Sequence, residues 1–373
     1  MLFHIWDFLN ADFKISVDLK KEFKDKIKFK IENNIYNISK RVKISPIRIY
    51  EYFIYQKSAI PLDFLYKIIK LLSISLEETE KNIIMIKQLH VPSTNSIKNP
   101  KLPITITPYL TSLVANLFFD GSVPEDGKGT YYNQKNKEIM EDFIKKVKEI
   151  FGEVSYSLKL DHRGVLKCRI PRLIGELCRY IYKVKSFGTF DSRVPDLISN
   201  LNKEHKISFI ITGILDEGSI TYDGDIQFGV SNKDMILDFK NLCRSIGLET
   251  TEVRGNKSGE HYHLYIRSKD KFNKIYINFN KKNPLLSLRY KEERLKKSIE
   301  IKKQKFLYTK DFSDNRKMLL LTEIRNKESS VNLLSIKFLI PPKTVRRYMY
   351  QFMKEGKIIR KKSGNEYIYF VPH

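Results

Sequence analysis

Apolar positions along the chain fall into two kinds of run. One kind keeps helical spacing: "NKEIMEDFIKKVKEIFGEV" (136–154) and "NKDMILDFKNLCRSIGLET" (232–250) can be laid on each other, with Asn232 standing 96 residues after Asn136. The other kind alternates apolar with polar, as in "SYSLKL" (155–160) and "HYHLYIRS" (261–268), the pattern of a half-buried strand. Ahead of each matched helix lies a more continuously apolar segment containing small residues, "LTSLVANLFFDGSV" (110–123) and "FIITGILDEGSI" (209–220). Each ends in an acid directly before a glycine, Asp120 before Gly121 and Glu217 before Gly218. The chain therefore contains an internal repeat in which each copy runs helix, hairpin, helix, hairpin, helix. In the first copy the helices span 108–120, 136–151 and 171–184, with strands near 121–133 and 153–170. In the second they span 205–217, 232–246 and 269–279, with strands near 218–231 and 248–267. A repeat this long is a duplicated αβ half-domain and not a solenoid unit.

The flanks read differently. Residues 16–33 have the pattern of a charged amphipathic helix, and 37–75 continue as short helices broken at Ser45-Pro46 and at Pro61, proline being well tolerated in a first helical turn. This segment resembles the phage-repressor type of helix-turn-helix. "ISKRVKIS" supplies the scaffold helix, "SPIRIYEYFIYQ" the helix that would enter the major groove, and "IPLDFLYKIIKLLSIS" the closing helix. Ser45, Arg48, Tyr50 and Glu51 are its candidate base or phosphate readers, and Lys43 stands where the tight turn commonly has glycine. Short helices of this kind also build plain bundles. Residues 92–107 are rich in Pro, Ser and Asn and read as a linker, while 280–306 form a basic, partly helical stretch. The last segment gives three helices and a hairpin turning at Ser363-Gly364, the order of a winged helix. Arg346, Arg347 and Tyr350 would lie on its reading helix, and Lys361 and Lys362 on the wing above the phosphates. The alternative is a solvated helix beside a surface hairpin.

Charge sharpens this picture. The 373 residues carry 68 Lys and Arg against 43 Asp and Glu, a formal net charge of +25 that no single tail accounts for, which points to a polyanion. With 42% hydrophobic and 12% aromatic residues the chain has enough apolar material for two or three cores. Its three cysteines, Cys168, Cys178 and Cys243, form no CxxC pair and fit a reducing cytoplasm. No apolar run approaches the roughly 20 residues that cross a bilayer, and the N-terminal "MLFHIWDFLNADF" lacks the pattern of a signal peptide, so a cytoplasmic protein without a membrane partner is expected.

Asp120 and Glu217 pose the chemical question, because the carbonyl end of a helix repels an acid unless a cation is near. With their glycines and the segments preceding them, the two copies resemble the LAGLIDADG (dodecapeptide) motif of the homing endonuclease family, in its single-chain form with two motifs, over roughly residues 105–285. That resemblance implies an α+β fold of duplicated αββαββα halves with pseudo-twofold symmetry, flanked here by all-α helix-turn-helix and winged-helix domains. It also implies motif helices packed through Ala115 with Asn116 and Thr212 with Gly213, Asn116 being bulkier than the family's residue. The implied metal ligands are Asp120 and Glu217, binding Mg²⁺ or another divalent cation that serves hydrolysis of both strands of duplex DNA at a long site. Lys167 is implied as a base or charge stabiliser, Arg267 as a phosphate contact, and Gln134 and Gln227 as polar contacts to DNA or water. Acid-glycine pairs that merely end helices are the alternative.

The expected domains are 1–92 (helix-turn-helix), 93–107 (linker), 108–200 and 201–285 (the two halves), 286–312 (basic helical linker) and 313–373 (winged helix). The expected protein is a monomer with internal pseudo-symmetry. A transcription regulator that keeps the scaffold for binding without cleavage is the competing expectation. His261 and His263 share a strand face but have no evident third ligand, and neither a P-loop, a GxSxG nor a dinucleotide fingerprint is present. Nor does the chain begin with Cys or Ser or end in His-Asn, as an intein would, so a free-standing member of the family is expected.

Overall fold

The computed structural model of the chain describes residues 1–55, 59–89, 96–124, 129–221, 225–256, 258–305, 312–364 and 366–372. Helices and sheets are mixed throughout, and the chain divides into two units, Met1–Asp216 with Lys282–Leu286, and Glu217–Lys281 with Ser287–His373.

The first unit begins with β1 (Leu2–Phe3) and β2 (Ile15–Leu19). Helices come next: α1 (Lys21–Ile31), α2 (Ile35–Val42), α3 (Pro46–Ile49, continuing as a π-helical turn over Tyr50–Ile54), then β3 (Ile60–Pro61), α4 (Leu62–Leu71) and α5 (Leu76–Lys81). Two further strands are β4 (Ile83–Gln88) and β5 (Ser96–Lys98). The expected all-α character of 1–92 is thus corrected. β2 buries four of its five residues and pairs antiparallel with β3 and β4, because β-branched Val17 finds its partners in the distant Ile60 and Ile86, while Ile15 lies opposite Gln88. The helix expected over 16–33 is therefore a strand followed by a shorter helix. The expected linker is corrected too: β5 pairs with β4, and β6 (Ile104–Thr105) pairs with β1, so residues 96–98 and 104–105 belong to sheets.

Next come α6 (Pro108–Phe118), β7 (Gly121–Ser122), β8 (Thr130–Gln134), α7 (Lys137–Phe151), β9 (Glu153–Val154), β10 (Ser157–Leu160), β11 (Leu166–Ile170), α8 (Arg172–Tyr182), α9 (Asp196–Asn200) and α10 (Lys203–Asp216). Strands β10, β11, β8 and β7 form an antiparallel sheet in that order, while β9 crosses to the N-terminal sheet, whose order is β3-β2-β4-β5-β9. The turn into β9 explains Gly152: its φ is +100° and a Cβ there would lie 2.3 Å from the Asn99 carbonyl oxygen. Capping follows the sequence pattern, since Thr107 caps α6 and Asn136 caps α7 through side-chain oxygens that accept from Leu110 N at 3.2 Å and Ile139 N at 3.1 Å.

Helices α6 and α10 pack directly on each other. The contact is made by small polar residues: Ser112 and Thr212 hydroxyls are 2.7 Å apart, and Ser208 Oγ donates to the Pro108 carbonyl at 2.5 Å. Asn116, only 2% exposed, fits because it is bonded on both sides. Its Nδ2 donates to Asp216 Oδ2 at 2.8 Å, and its Oδ1 accepts from Lys146 Nζ, which also donates to Ser112 Oγ at 2.7 Å. Tyr132 OH completes the group by donating to Asp216 Oδ1 at 2.8 Å. Burial pushes the Lys146 ammonium down to about 8, with Asp216 and Asp142 opposing that shift.

In the second unit, β12 (Gly218–Ile220), β13 (Ile226–Val230), α11 (Lys233–Ser245), β14 (Arg254–Gly255), β15 (Tyr262–Ile266) and α12 (Lys269–Lys282) build an antiparallel sheet of order β12-β13-β15-β14 backed by α11. After α13 (Tyr290–Lys305), the chain forms α14 (Phe312–Asn326), β16 (Ser329–Ser330), α15 (Val331–Phe338), α16 (Pro342–Lys354), β17 (Ile359–Ser363) and β18 (Glu366–Phe370). These last elements have their own core of Leu320, Ile324, Leu334, Val345, Met349 and Phe352, with sheet order β16-β18-β17.

Candidate nucleic-acid interface

Asp120 lies two residues past the end of α6, where Gly121 opens β7. Gly121 is needed for close approach: a Cβ would sit 2.5 Å from Leu117 Cα and 2.6 Å from the Asn116 carbonyl oxygen. The Asp120 carbonyl accepts from Asn133 N at 3.0 Å and Asn133 Nδ2 at 3.2 Å, and its carboxylate Oδ2 accepts from Gln134 Nε2 at 3.4 Å. Gln134 therefore sits at the acid, and it also approaches Tyr132 OH at 3.5 Å.

Glu217 directly follows the last residue of α10, and Gly218 opens β12. Much of the residue's surface is exposed, yet the surroundings of its carboxyl desolvate it enough to raise its pKa, with the Lys291 ammonium pulling the other way. Lys291 is buried and donates to the Gly218 carbonyl at 2.7 Å. Sequence reasoning missed this lysine. It opens α13, a charged helix with no motif, and only the fold brings it to Gly218.

The middle strands of each four-stranded sheet turn one face to the core and a more open face away from it. In β8 and β11 the inner residues Thr130, Tyr132, Cys168 and Ile170 are buried, and the outer ones are Tyr131, Asn133, Lys167 and Arg169. Lys167 is exposed, lies opposite Asn133 on one side and Lys159 on the other, and holds its Nζ 4.3 Å from the Tyr131 ring centre. In the other sheet Ser219, Gln227 and Tyr265 form one cross-strand row, and Gly229, His263 and Arg254 another. The outer face of the first sheet is basic and aromatic, and that of the second is polar, the composition that meets phosphates and base edges.

Gln134 and Gln227 occupy different positions in their two sheets. Gln134 ends β8 opposite Leu166, whereas Gln227 is second in β13 opposite Ser219 and Tyr265. Arg267 is exposed just past β15, its backbone N–H donating to Glu249 at 2.8 Å. His261 and His263 gather no third ligand, and among the described residues no group of three or more His, Cys, Asp or Glu is placed to hold a metal ion. The three thiols are buried, and burial raises their pKa, that of Cys168 to about 12, which leaves them poor nucleophiles.

At the chain ends, Ser45, Arg48 and Glu51 are exposed around α3, and Tyr50 is half-buried with its ring 6.1 Å from that of Tyr55. Arg346, Arg347 and Tyr350 are exposed on α16. Lys361 and Lys362 are neighbours in β17 and so point to opposite faces of the hairpin, which corrects their joint placement above the phosphates. Lys361 is paired with Glu328 at 2.8 Å. Arg360, which sequence reasoning passed over, shares a groove of about 400 Å³ with Arg346, Ser330 and Tyr367, and strand periodicity puts Lys362 on its side. No described helix is long and apolar enough to cross a membrane.

No protein-family model matches the sequence, and no curated protein matches it. Among solved structures, the chain is similar to mesophilic variants of the homing endonuclease I-DmoI, at 14% identity over 46% of this chain and 93% of that one, with a TM-score of 0.32. It is likewise similar to I-DmoI in complex with DNA and Mn, at 15% identity over 48% of this chain and 97% of that one, with a TM-score of 0.32. A third likeness is to full-length DUF199/WhiA from Thermatoga maritima, at 9% identity over 66% of this chain and 90% of that one, with a TM-score of 0.37. These likenesses are too slight to carry any residue's role from one chain to another.

Proposed function

We propose that this chain is a DNA-binding protein of the LAGLIDADG homing endonuclease type, monomeric, with a duplicated core that hydrolyses both strands of duplex DNA at a long site. The observation that carries the reading is the twice-repeated order of a helix, an acid-glycine step and an antiparallel four-stranded sheet with one open polar face. The order of helices and strands in 313–373 supports the winged-helix reading of that segment, and α2 and α3 support the helix-turn-helix reading near the N-terminus.

The donor chemistry fits a hard divalent cation. Asp120 and Glu217 offer carboxylate oxygens, and the desolvated carboxyl of Glu217 is of the kind that a cation would relieve. Mg²⁺, when bound, would supply positive charge to the phosphate and lower the pKa of a water. The protein side chains do the rest. Gln134 orients the Asp120 carboxylate, Lys167 and Arg169 stand ready to neutralise phosphate charge, and Tyr131 offers a ring to a sugar or base. Arg267, Gln227, Arg346, Arg347 and Lys362 are further DNA contacts in this reading.

The decisive experiment selects tightly bound duplexes from a genomic fragment library with the purified protein, then adds Mg²⁺. Double-strand breaks that vanish in Asp120→Asn establish the nuclease. Tight binding with no breaks establishes the second reading, a transcription regulator on the same scaffold, which the helix-turn-helix segments at both chain ends favour.

A further inference from the structure

A second repeat of different length joins the two ends of the chain. Ser39, Lys43, Ile44 and Pro46 are matched 296 residues later by Ser335, Leu339, Ile340 and Pro342. The turns share their geometry. Ser39 Oγ donates to the Ile44 carbonyl at 2.6 Å, and Ser335 Oγ to the Ile340 carbonyl at 2.6 Å. Ile44 N donates to Ser39 O, and Ile340 N to Ser335 O, both at 3.1 Å. Lys43 at φ 56° and Leu339 at φ 52° both adopt the left-handed conformation that non-glycine residues rarely hold. Ile49 and Phe53 in one copy, Val345 and Met349 in the other, are each 0% exposed. Each second helix is thus pinned at the same two positions and turns the same face outward.

Those outward faces carry opposite chemistry. In the first copy the cations Lys40, Arg41 and Lys43 ring the turn, while the helix presents Ile47, 68% exposed, with Arg48 and Glu51. In the second copy the turn carries Ile336, Leu339 and Lys337, the last paired with Glu323, and the helix presents Lys343, Arg346 and Arg347. Where one has Ile47 and Glu51, the other has Lys343 and Arg347. A face dominated by cations gains most of its affinity from phosphates, whatever guanine edges it also meets, whereas an apolar group beside a donor and an acceptor has a thymine methyl and base edges as its natural match. We propose that the two copies divide the work on duplex DNA: the first reads bases in the major groove, with Ile47 against a thymine 5-methyl group, and the second holds the backbone.

This rests on the DNA-binding reading above, and the test separates the two. The full chain is used to select duplexes from a random library, and each thymine of the selected site is then replaced by deoxyuridine, which removes only the methyl group. At one position this replacement weakens wild-type binding about fourfold, the worth of one buried methyl, and leaves Ile47→Ala binding unchanged. The double variant Lys343→Gln, Arg347→Gln instead weakens binding to all duplexes alike and lowers the salt slope by about one for each phosphate contact removed. These substitutions alter exposed side chains, and circular dichroism checks that the fold is kept. Selected duplexes that are indifferent to every thymine methyl, or that lose the same affinity with Ile47→Ala, overturn the division of labour and give the Ile47 face to a protein partner. Failure to retain any duplex removes the DNA-binding reading itself.

Discussion

The same aromatic stack occurs behind both sheets, and its surroundings differ. Tyr132 lies on Phe143 with ring centres 4.3 Å apart and planes at 16°, and Phe228 lies on Phe239 at 3.7 Å and 9°. Each pair joins a middle strand to the helix behind it, 96 residues apart in sequence. A single hydroxyl separates the two. In the first, Tyr132 OH reaches Asp216, Asp216 reaches Asn116, and Asn116 reaches Lys146. In the second, Leu242 stands at the position of Lys146, and Phe228 has no hydroxyl to place. An apolar stack seats the helix on its sheet in both copies, and the polar group of the first copy also bonds α6 to α10.

That difference can be broken from its cationic centre outward. Lys146→Leu, which imitates the second copy, removes the buried ammonium that donates to Ser112 and Asn116 and is expected to cost about 3 kcal/mol in urea unfolding of the full chain. A loss below about 1 kcal/mol would show the network to be ornamental. Tyr132→Phe keeps the stack and removes one charged hydrogen bond, for an expected loss of about 2 kcal/mol in the same measurement.

Alkaline pH sharpens the comparison. The folded-state pKa of Lys146 is depressed to about 8, so above that pH the unfolded chain binds more protons at this residue than the folded one. Stability relative to Lys146→Leu should therefore rise between pH 8 and 10, by about 1 kcal/mol per pH unit. A flat difference would mean that the ammonium stays charged inside the fold. The smallest effect belongs to the second copy, where Leu242→Met conserves volume and should shift stability by about 1 kcal/mol or less.

The repeat was legible because local rules carry it. Asn136 and Asn232 both cap their helices with side-chain oxygens, and both acid-glycine steps end helices where the pattern of small and apolar residues stops. Non-local pairing was not legible. Nothing within "ISVDL" announces that Val17 will lie beside Ile60 and Ile86, so β2 was absorbed into a neighbouring helix. The linker was misread for the same reason, since its Pro and Asn content is real but five of its residues find strands to pair with. Lys146 left a signal that charge obscured: it falls among the core positions Ile139, Phe143 and Ile150 of α7, a spacing that marks the inner face whatever residue occupies it. Lys291 left none, because the carbonyl it meets comes from another part of the chain.

Strand β9 also decides where the chain can be divided. Because Val154 and Glu153 complete a sheet begun by the first hundred residues, no clean cut separates the N-terminal region from α6 and α7. A deletion ending near residue 107 would strip β9 of its neighbour β5 and uncover Val154, which is now buried. The N-terminal region is thus not a detachable accessory, and any descendant of this chain that loses it must first invent a replacement edge.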